Sequence, residues 1–198
     1  MHWLAMSVND QARWDRKHLA EHGSEAASGF LREIFQTQNW QIRSGRALDI
    51  AAGKGRNAIF LAERGFDVEA IDISPVALDE ARRRATERRL DISWREADLE
   101  QIDLPEACYD LVLNFNYLQR SLIPRIKESL KAGGHIIFET YLIDQRTVGH
   151  PSNPAYLLGH NELLEFFRDL RVLWYREGKF TEGDEVSYRA GIFAQKVR

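Results

Sequence analysis

Three carboxylates stand inside or just after short apolar runs: Asp49 within Ala47–Ala51, Asp72 after Asp67–Ile71, and Asp98 after a run holding Ile92 and Trp94. Asp49 is followed closely by Ala51-Ala52-Gly53-Lys54-Gly55-Arg56-Asn57. Glycines at such a turn let the backbone approach a ligand and take φ values that a Cβ forbids. Behind them Ala58, Leu61 and Ala62 recur at helical spacing up to Gly65, and a helix beginning there aims unpaired N–H groups at the turn. The chemistry open to this constellation is the holding of a nucleotide-type cofactor.

The residues leave more than one cofactor in play. Gly53 to Ala58 satisfies the dinucleotide fingerprint G-x-G-x-x-G/A, and Asp72 stands 19 residues past the first glycine, where a ribose-binding acid belongs. A nicotinamide or flavin enzyme fits that match. Asp49 argues against it, because a carboxylate inside the strand repels a pyrophosphate and suits an ammonium group. Asp98 is placed to meet an adenine amine. Taken singly, each acid also reads as a strand-end cap or a solvated turn residue. Together they suggest a cofactor with an amine, a ribose diol and an adenine, and no phosphates.

The elements that must position these acids alternate from Arg46 onward. Strands are expected at Ala47–Ala51, Asp67–Ile71, around Ile92 and Trp94, at Tyr109–Phe115 and at His135–Tyr141. Helices fall between them, one with Ser74 as cap and Pro75 in its first turn, another with Pro124 early and Gly133-Gly134 as its stop. Such alternation implies right-handed crossovers and a parallel sheet. After an irregular stretch over 142–160 come a helix with Leu163, Leu164, Phe167 and Leu170, and two runs, Val172–Tyr175 and Val186–Gln195, separated by Gly178, Thr181 and Gly183-Asp184. They read as an antiparallel hairpin. The fold class is α/β: a Rossmann-like, doubly wound, seven-stranded, mostly parallel sheet ending in that hairpin. Residues 1–45 read as two short amphipathic helices joined near Gly23-Ser24, forming either an inert flap or a lid over the cofactor.

The 198 residues fit one domain, divided into an N-terminal helical part (1–45), a cofactor-binding core (46–141), a substrate-side insertion (142–160) and a C-terminal helix and hairpin (161–198). Net charge is −3, which does not favour a polyanion binder. The arginines at 82, 83, 84, 88 and 89 read as a solvated helix face interspersed with Glu80 and Glu87. The single cysteine, Cys108, reads as core. No apolar run reaches the roughly 18 residues that span a bilayer, and no signal peptide is recognised, so a cytoplasmic protein without membrane or nucleic-acid partners is expected.

From Leu48-Asp49-Ile50-Ala51-Ala52-Gly53-Lys54-Gly55-Arg56-Asn57-Ala58, the chain resembles a class I S-adenosylmethionine-dependent methyltransferase across residues 40–198. Ala70-Ile71-Asp72-Ile73-Ser74, Ala97-Asp98-Leu99 and Tyr109-Asp110-Leu111-Val112 resemble the family's following motifs. Gly55-Arg56-Asn57 with Phe60-Leu61-Ala62, Tyr117 to Leu122 and Glu139-Thr140-Tyr141 are similar to a small bacterial branch related to tellurite-resistance methyltransferases. Ala51 departs from the pattern, standing where the family usually has glycine; it is expected to be tolerated because Gly53 and Gly55 remain to admit the ligand.

The resemblance implies S-adenosyl-L-methionine as cofactor and no metal. It implies that Asp49 and the backbone of Ala51, Ala52, Gly53 and Gly55 hold the methionine end, and that Asn57 also belongs to the cofactor site. It implies that Asp72 takes the ribose hydroxyls, Ile73 and Leu99 sandwich the adenine, Asp98 accepts from its amine, and Asn114 faces the sulfonium. Candidates to line the acceptor side are Asn116, Tyr117, Arg120, Glu139, Tyr141 and His150, with no assigned catalytic residue. The acceptor is expected to be a small molecule. The competing readings are a non-catalytic cofactor-binding sensor and a nicotinamide-dependent oxidoreductase.

Overall fold

The computed structural model describes residues 3–20, 24–37, 40, 42–182 and 185–198. Seven strands form one sheet in the order β3-β2-β1-β4-β5-β7-β6. β1 (Arg46–Ile50), β2 (Asp67–Asp72), β3 (Ser93–Glu96), β4 (Tyr109–Phe115) and β5 (Leu130–Tyr141) run parallel. β6 (Arg171–Glu182) and β7 (Glu185–Gln195) form the antiparallel hairpin, with β7 inserted beside β5. The order reverses between β1 and β4, and in such sheets ligands bind beyond the carboxyl ends of the strands at that point.

Alternation along the strands divides the core between the two faces. Leu48, Ile50, Val112, Ile136 and Phe138 pack with α5 (Ile123–Ser129) and α6 (Glu162–Phe167) on one face. Ala47, Leu111, Leu113 and Ile137 pack on the other with α3 (Arg56–Ala62) and α2 (Gly29–Gln36), whose Phe30, Leu31 and Ile34 are fully buried. Asp49 follows Ala47 by two residues, so period-two alternation puts it on the α2–α3 face.

The two N-terminal helices therefore have different places. α2 completes a core. α1 (Trp3–Ala20) packs on α4 (Pro75–Glu87) and lies across the carboxyl ends of β2 and β3. The expected join at Gly23 lies outside the described residues, as does the Gly183-Asp184 turn.

The structure corrects four expectations of local structure. Gly133-Gly134 does not stop α5, which ends at Ser129; the glycines lie inside β5, where the register against β4 jumps from Tyr109↔Leu130 to Leu111↔His135. The hairpin strands are longer than their apolar runs, β6 continuing through Gly178 and Thr181 because β7 supplies partners as far as Glu185. Cys108 is half-buried, its Sγ 2.9 Å from Arg46 Nη1. In the arginine run Arg83 pairs with Glu80 and Glu87, whereas Arg84 is buried and held by Glu80 at 2.7 Å.

Candidate functional site

The turn after β1 is held in left-handed geometry at Ala51 (φ 53°), Gly53 (φ 54°) and Gly55 (φ 76°). Ala51 thus sits where glycine is the relaxed residue, and its tolerance comes with backbone strain. Gly55 is required for a reason other than ligand approach. It caps α3, and a Cβ on it would lie 2.5 Å from Trp94 Cη2 and 3.0 Å from Ala81 Cβ. Gly53 is the open one: a Cβ there would meet His18 Cε1 at 3.5 Å, so α1 faces the turn.

Asp49 is 1% exposed and accepts the Ala58 backbone N–H, but its Oδ2 has no partner among the described residues. Burial pushes its carboxyl up to about 7, against the opposing pull of the Ala58 N–H and of Arg56. An orphaned buried acceptor beside a ligand turn is what an ammonium group would satisfy. Asp72 is also buried; Oδ2 accepts from Gly53 N at 2.7 Å and Oδ1 from Ser74 N at 2.9 Å. Burial raises its carboxyl too, offset by those backbone donors and by His18. Each carboxylate oxygen retains lone pairs for a further donor.

Next to Asp72, Gln11, Ile73, Glu96, Ala97 and Asp98 line a cavity of about 250 Å³. α1 roofs it: Gln11 donates to Glu96 at 3.0 Å, and Ser74 Oγ donates to Asp15. Leu99 is instead buried in the core, 5% exposed. Asp98 caps its own turn, accepting from Glu100 N at 2.9 Å and Gln101 Nε2 at 3.1 Å.

Other expected site residues have structural partners. Asn57 Oδ1 accepts from Ser28 N at 2.9 Å and ties α2 to α3. Asn114 Nδ2 donates to the Tyr117 carbonyl at 2.8 Å, so that side chain shapes the loop after β4. Tyr117 Oη donates to Gln119 at 2.7 Å, and burial followed by the charges of Glu100, Asp98 and Asp72 raises its phenol above the ordinary range. Arg120 reaches away to Glu162 and to the carbonyls of Ala155 and Leu157, stapling the insertion. His150 is exposed in that insertion. Glu139 is 4% exposed and paired with Arg176 at 2.6 Å.

Of the candidates expected to line the acceptor side, the structure gathers Asn116 and Tyr141, and it adds Arg189 to them. Arg189 donates to Asn116 Oδ1 at 2.6 Å and to Tyr141 Oη at 2.8 Å, and stacks over the Tyr141 ring at 4.1 Å. Sequence reasoning gave no site role to Arg189, Arg176 or His18. The alternation Ser187-Arg189-Gly191 in β7 puts Arg189 on a definite face, but only the pairing of Tyr141 with Arg189 reveals which strand it meets.

Among the described residues no cluster of metal-ligating side chains occurs, and no helix is long and apolar enough to cross a membrane.

Residues 47–134 match the family model described as a methyltransferase domain. The chain is 27% identical over 166 residues to hemagglutinin 1 of Eikenella corrodens, covering 79% of this chain and 53% of that one. It is 28% identical over 150 residues to the Haemophilus influenzae protein named "probable S-adenosyl-L-methionine-dependent methyltransferase TehB", covering 71% and 51%. The chain thus spans about half the length of these relatives, at 53% and 51%. The crystal structure of TehB from Haemophilus influenzae superposes with a TM-score of 0.72 at 22% identity, over 92% of this chain and 67% of that one. S-adenosyl-L-methionine is the cofactor that these comparisons support, and the orphaned Asp49 oxygen, the open Gly53 and the cavity beside Asp72 offer places for its amine, its amino-acid end and its nucleoside.

Proposed function

We propose, from the premise that residues 47–134 form a class I S-adenosyl-L-methionine-dependent methyltransferase domain and that the chain resembles TehB, that this chain transfers a methyl group from that donor to a small-molecule acceptor. The observation that supports it best is Asp49, a buried carboxylate with one oxygen unfilled at the end of β1. That group suits an ammonium and opposes a pyrophosphate. It therefore separates the sulfonium donor from the dinucleotides that share the glycine pattern.

The bound donor supplies a methyl group already activated on a sulfonium, so the protein's work is positioning and the exclusion of water. In this reading Asp49 pairs with the ammonium, and the left-handed turn through Gly53 seats the amino-acid end. Asp72, fixed by Gly53 and Ser74, accepts from the ribose hydroxyls. Ile73 and Ala97 wall the adenine cavity, where Asp98 accepts from the base amine. α1 closes over this end through Gln11, Asp15 and His18 and keeps water from it, which favours the lid over the inert flap. Asn116, Tyr141 and Arg189 orient the acceptor. A general base is needed only for an acceptor that keeps its proton at neutral pH.

A second reading, a cofactor-binding sensor, is favoured by one fact: Glu139 and Arg120 are both held in ion pairs and neither is available to work on an acceptor. Turnover separates the two. The chain is incubated with donor labelled in its methyl group and with the low-molecular-weight fraction of a cell extract. Label transferred to a small molecule, with demethylated donor released, is expected; donor bound but never turned over by any fraction supports the sensor.

A further inference from the structure

The two edges of the sheet are built differently. β3 is four residues long, Ser93–Glu96, and offers a further strand little to pair with. β6 runs for 12 residues, Arg171–Glu182, contains no proline, and among the described residues pairs only with β7. A long edge of that kind presents a row of unpaired N–H and C=O groups, which is a template for another strand.

The charges along β6 say which strand. Lys179 is exposed, and its side chain has no hydrogen-bond or ion-pair partner among the described residues. Glu177, two residues away on the same face, accepts from Asn161 N at 2.9 Å and from Tyr175 Oη, and has no cation at ion-pair distance among the described residues. On the opposite face Arg176 and Phe180 flank Gly178, the guanidinium 4.6 Å from the ring centroid.

A second copy of β6 complements this pattern in one register. A two-fold axis normal to the sheet pairs the strand antiparallel with its copy and sets one residue opposite itself. At Arg176, Glu177 or Lys179 the axis brings like charges face to face, which destabilises a strand pair. At Tyr175 it carries the pairing into the irregularity between Val172 and Trp174, and at Phe180 it leaves only a short overlap at the end of the strand. Gly178 remains. About it Glu177 of each copy stands opposite Lys179 of the other, and Arg176 of each opposite Phe180 of the other, so opposite charges meet twice and a cation faces an aromatic ring twice. The ladder with β7 stays regular here, Glu177↔Ala190, Gly178↔Arg189 and Lys179↔Tyr188, so the side chains keep the alternation that this register needs.

We propose that β6 is a dimerisation edge, on which a second copy of this chain pairs antiparallel about Gly178 and joins two seven-stranded sheets into one. The dimer axis then lies one strand away from Arg189 and its contacts to Asn116 and Tyr141.

Sedimentation equilibrium of the full chain tests this against Lys179→Glu, Lys179→Gln and the charge swap Glu177→Lys with Lys179→Glu, thermal melts confirming that each is folded. The wild-type chain is expected at twice the 22.9 kDa of one copy at protein concentrations of about 10–100 µM. Lys179→Glu is expected to weaken the dimer about tenfold or more, because it sets acid opposite acid at both pairs, and the swap to restore it. Carbodiimide coupling reads the register: a covalent dimer joined through Glu177 and Lys179 is expected, and its loss in Lys179→Gln. A monomer throughout that concentration range, a dimer that Lys179→Glu leaves intact, or a folded swap that restores nothing overturns the proposal. Should the swap not fold, Lys179→Glu and the coupling decide between the two outcomes.

Discussion

Glu139 of β5 and Arg176 of β6 meet at 2.6 Å although β7 runs between their strands. The residue opposite both is Gly191, so no side chain stands in the way. A Cβ there would lie 2.9 Å from Phe30 Cε1 and 3.3 Å from Glu139 Oε1. Gly191→Ala is therefore expected to lower the unfolding free energy by about 1–3 kcal/mol through overpacking, rising toward about 3–5 kcal/mol if the buried pair is forced apart. Urea denaturation measures it, and an unchanged midpoint would contradict the assignment.

Ala51 holds a left-handed φ of 53°. That conformation costs a residue with a Cβ about 1–2 kcal/mol, while glycine gives back about 0.4–1 kcal/mol in the unfolded chain. Ala51→Gly should then stabilise the protein by roughly 0.5–1 kcal/mol. Destabilisation in the same denaturation experiment would mean that the alanine methyl makes packing contacts worth more than the strain.

Burial raises the Asp49 carboxyl to about 7, well above the value of about 3.9 in an unfolded chain. Between these values the folded chain binds more protons, so this group's contribution to stability is complete below about pH 4 and is lost as pH rises through about 7. Asp49→Asn removes that dependence. It is expected to stabilise the unliganded chain at pH 8 by on the order of 2–4 kcal/mol and to weaken donor binding at the same pH. Thermal melts from pH 4 to 8, run on both chains, check the first half; parallel curves for the two would refute it.

Arg120 donates to Glu162 at 2.6 and 2.9 Å and to the carbonyls of Ala155 and Leu157 at 3.0 and 2.9 Å. Its side chain is 42% exposed, so Arg120→Ala should cost only about 1 kcal/mol of global stability. The effect is expected locally, as faster amide exchange across residues 150–160 with donor affinity unchanged. Exchange that stays the same there would return Arg120 to the acceptor side.

The parallel core could be read from the chain because its strands are apolar runs with an acid at or near their ends, and Tyr109–Phe115 matches β4 to the residue. Long-range partners could not. Nothing in the spacing around Gly55 announces that Trp94 presses on it, and the sign of φ at Ala51 depends on the whole turn. Asn57, Asn114 and Arg120 have residue types suited to a ligand, yet each is taken by backbone or ion-pair partners brought up by tertiary folding. Arg189 went unnoticed for the converse reason. It lies in no motif, and its position beside Tyr141 and Asn116 is created by the return of β7 along β5.

In the proposed function the acids at the ends of β1 and β2 hold a sulfonium nucleoside and not a dinucleotide. Calorimetric titration of the chain with S-adenosylhomocysteine and with NAD, repeated on Asp72→Ala, tests it most directly. S-adenosylhomocysteine is expected to bind and NAD not to, and Asp72→Ala is expected to weaken the former by about 1–3 kcal/mol through loss of a charged acceptor. Binding of NAD without S-adenosylhomocysteine, or an affinity indifferent to Asp72, would contradict it.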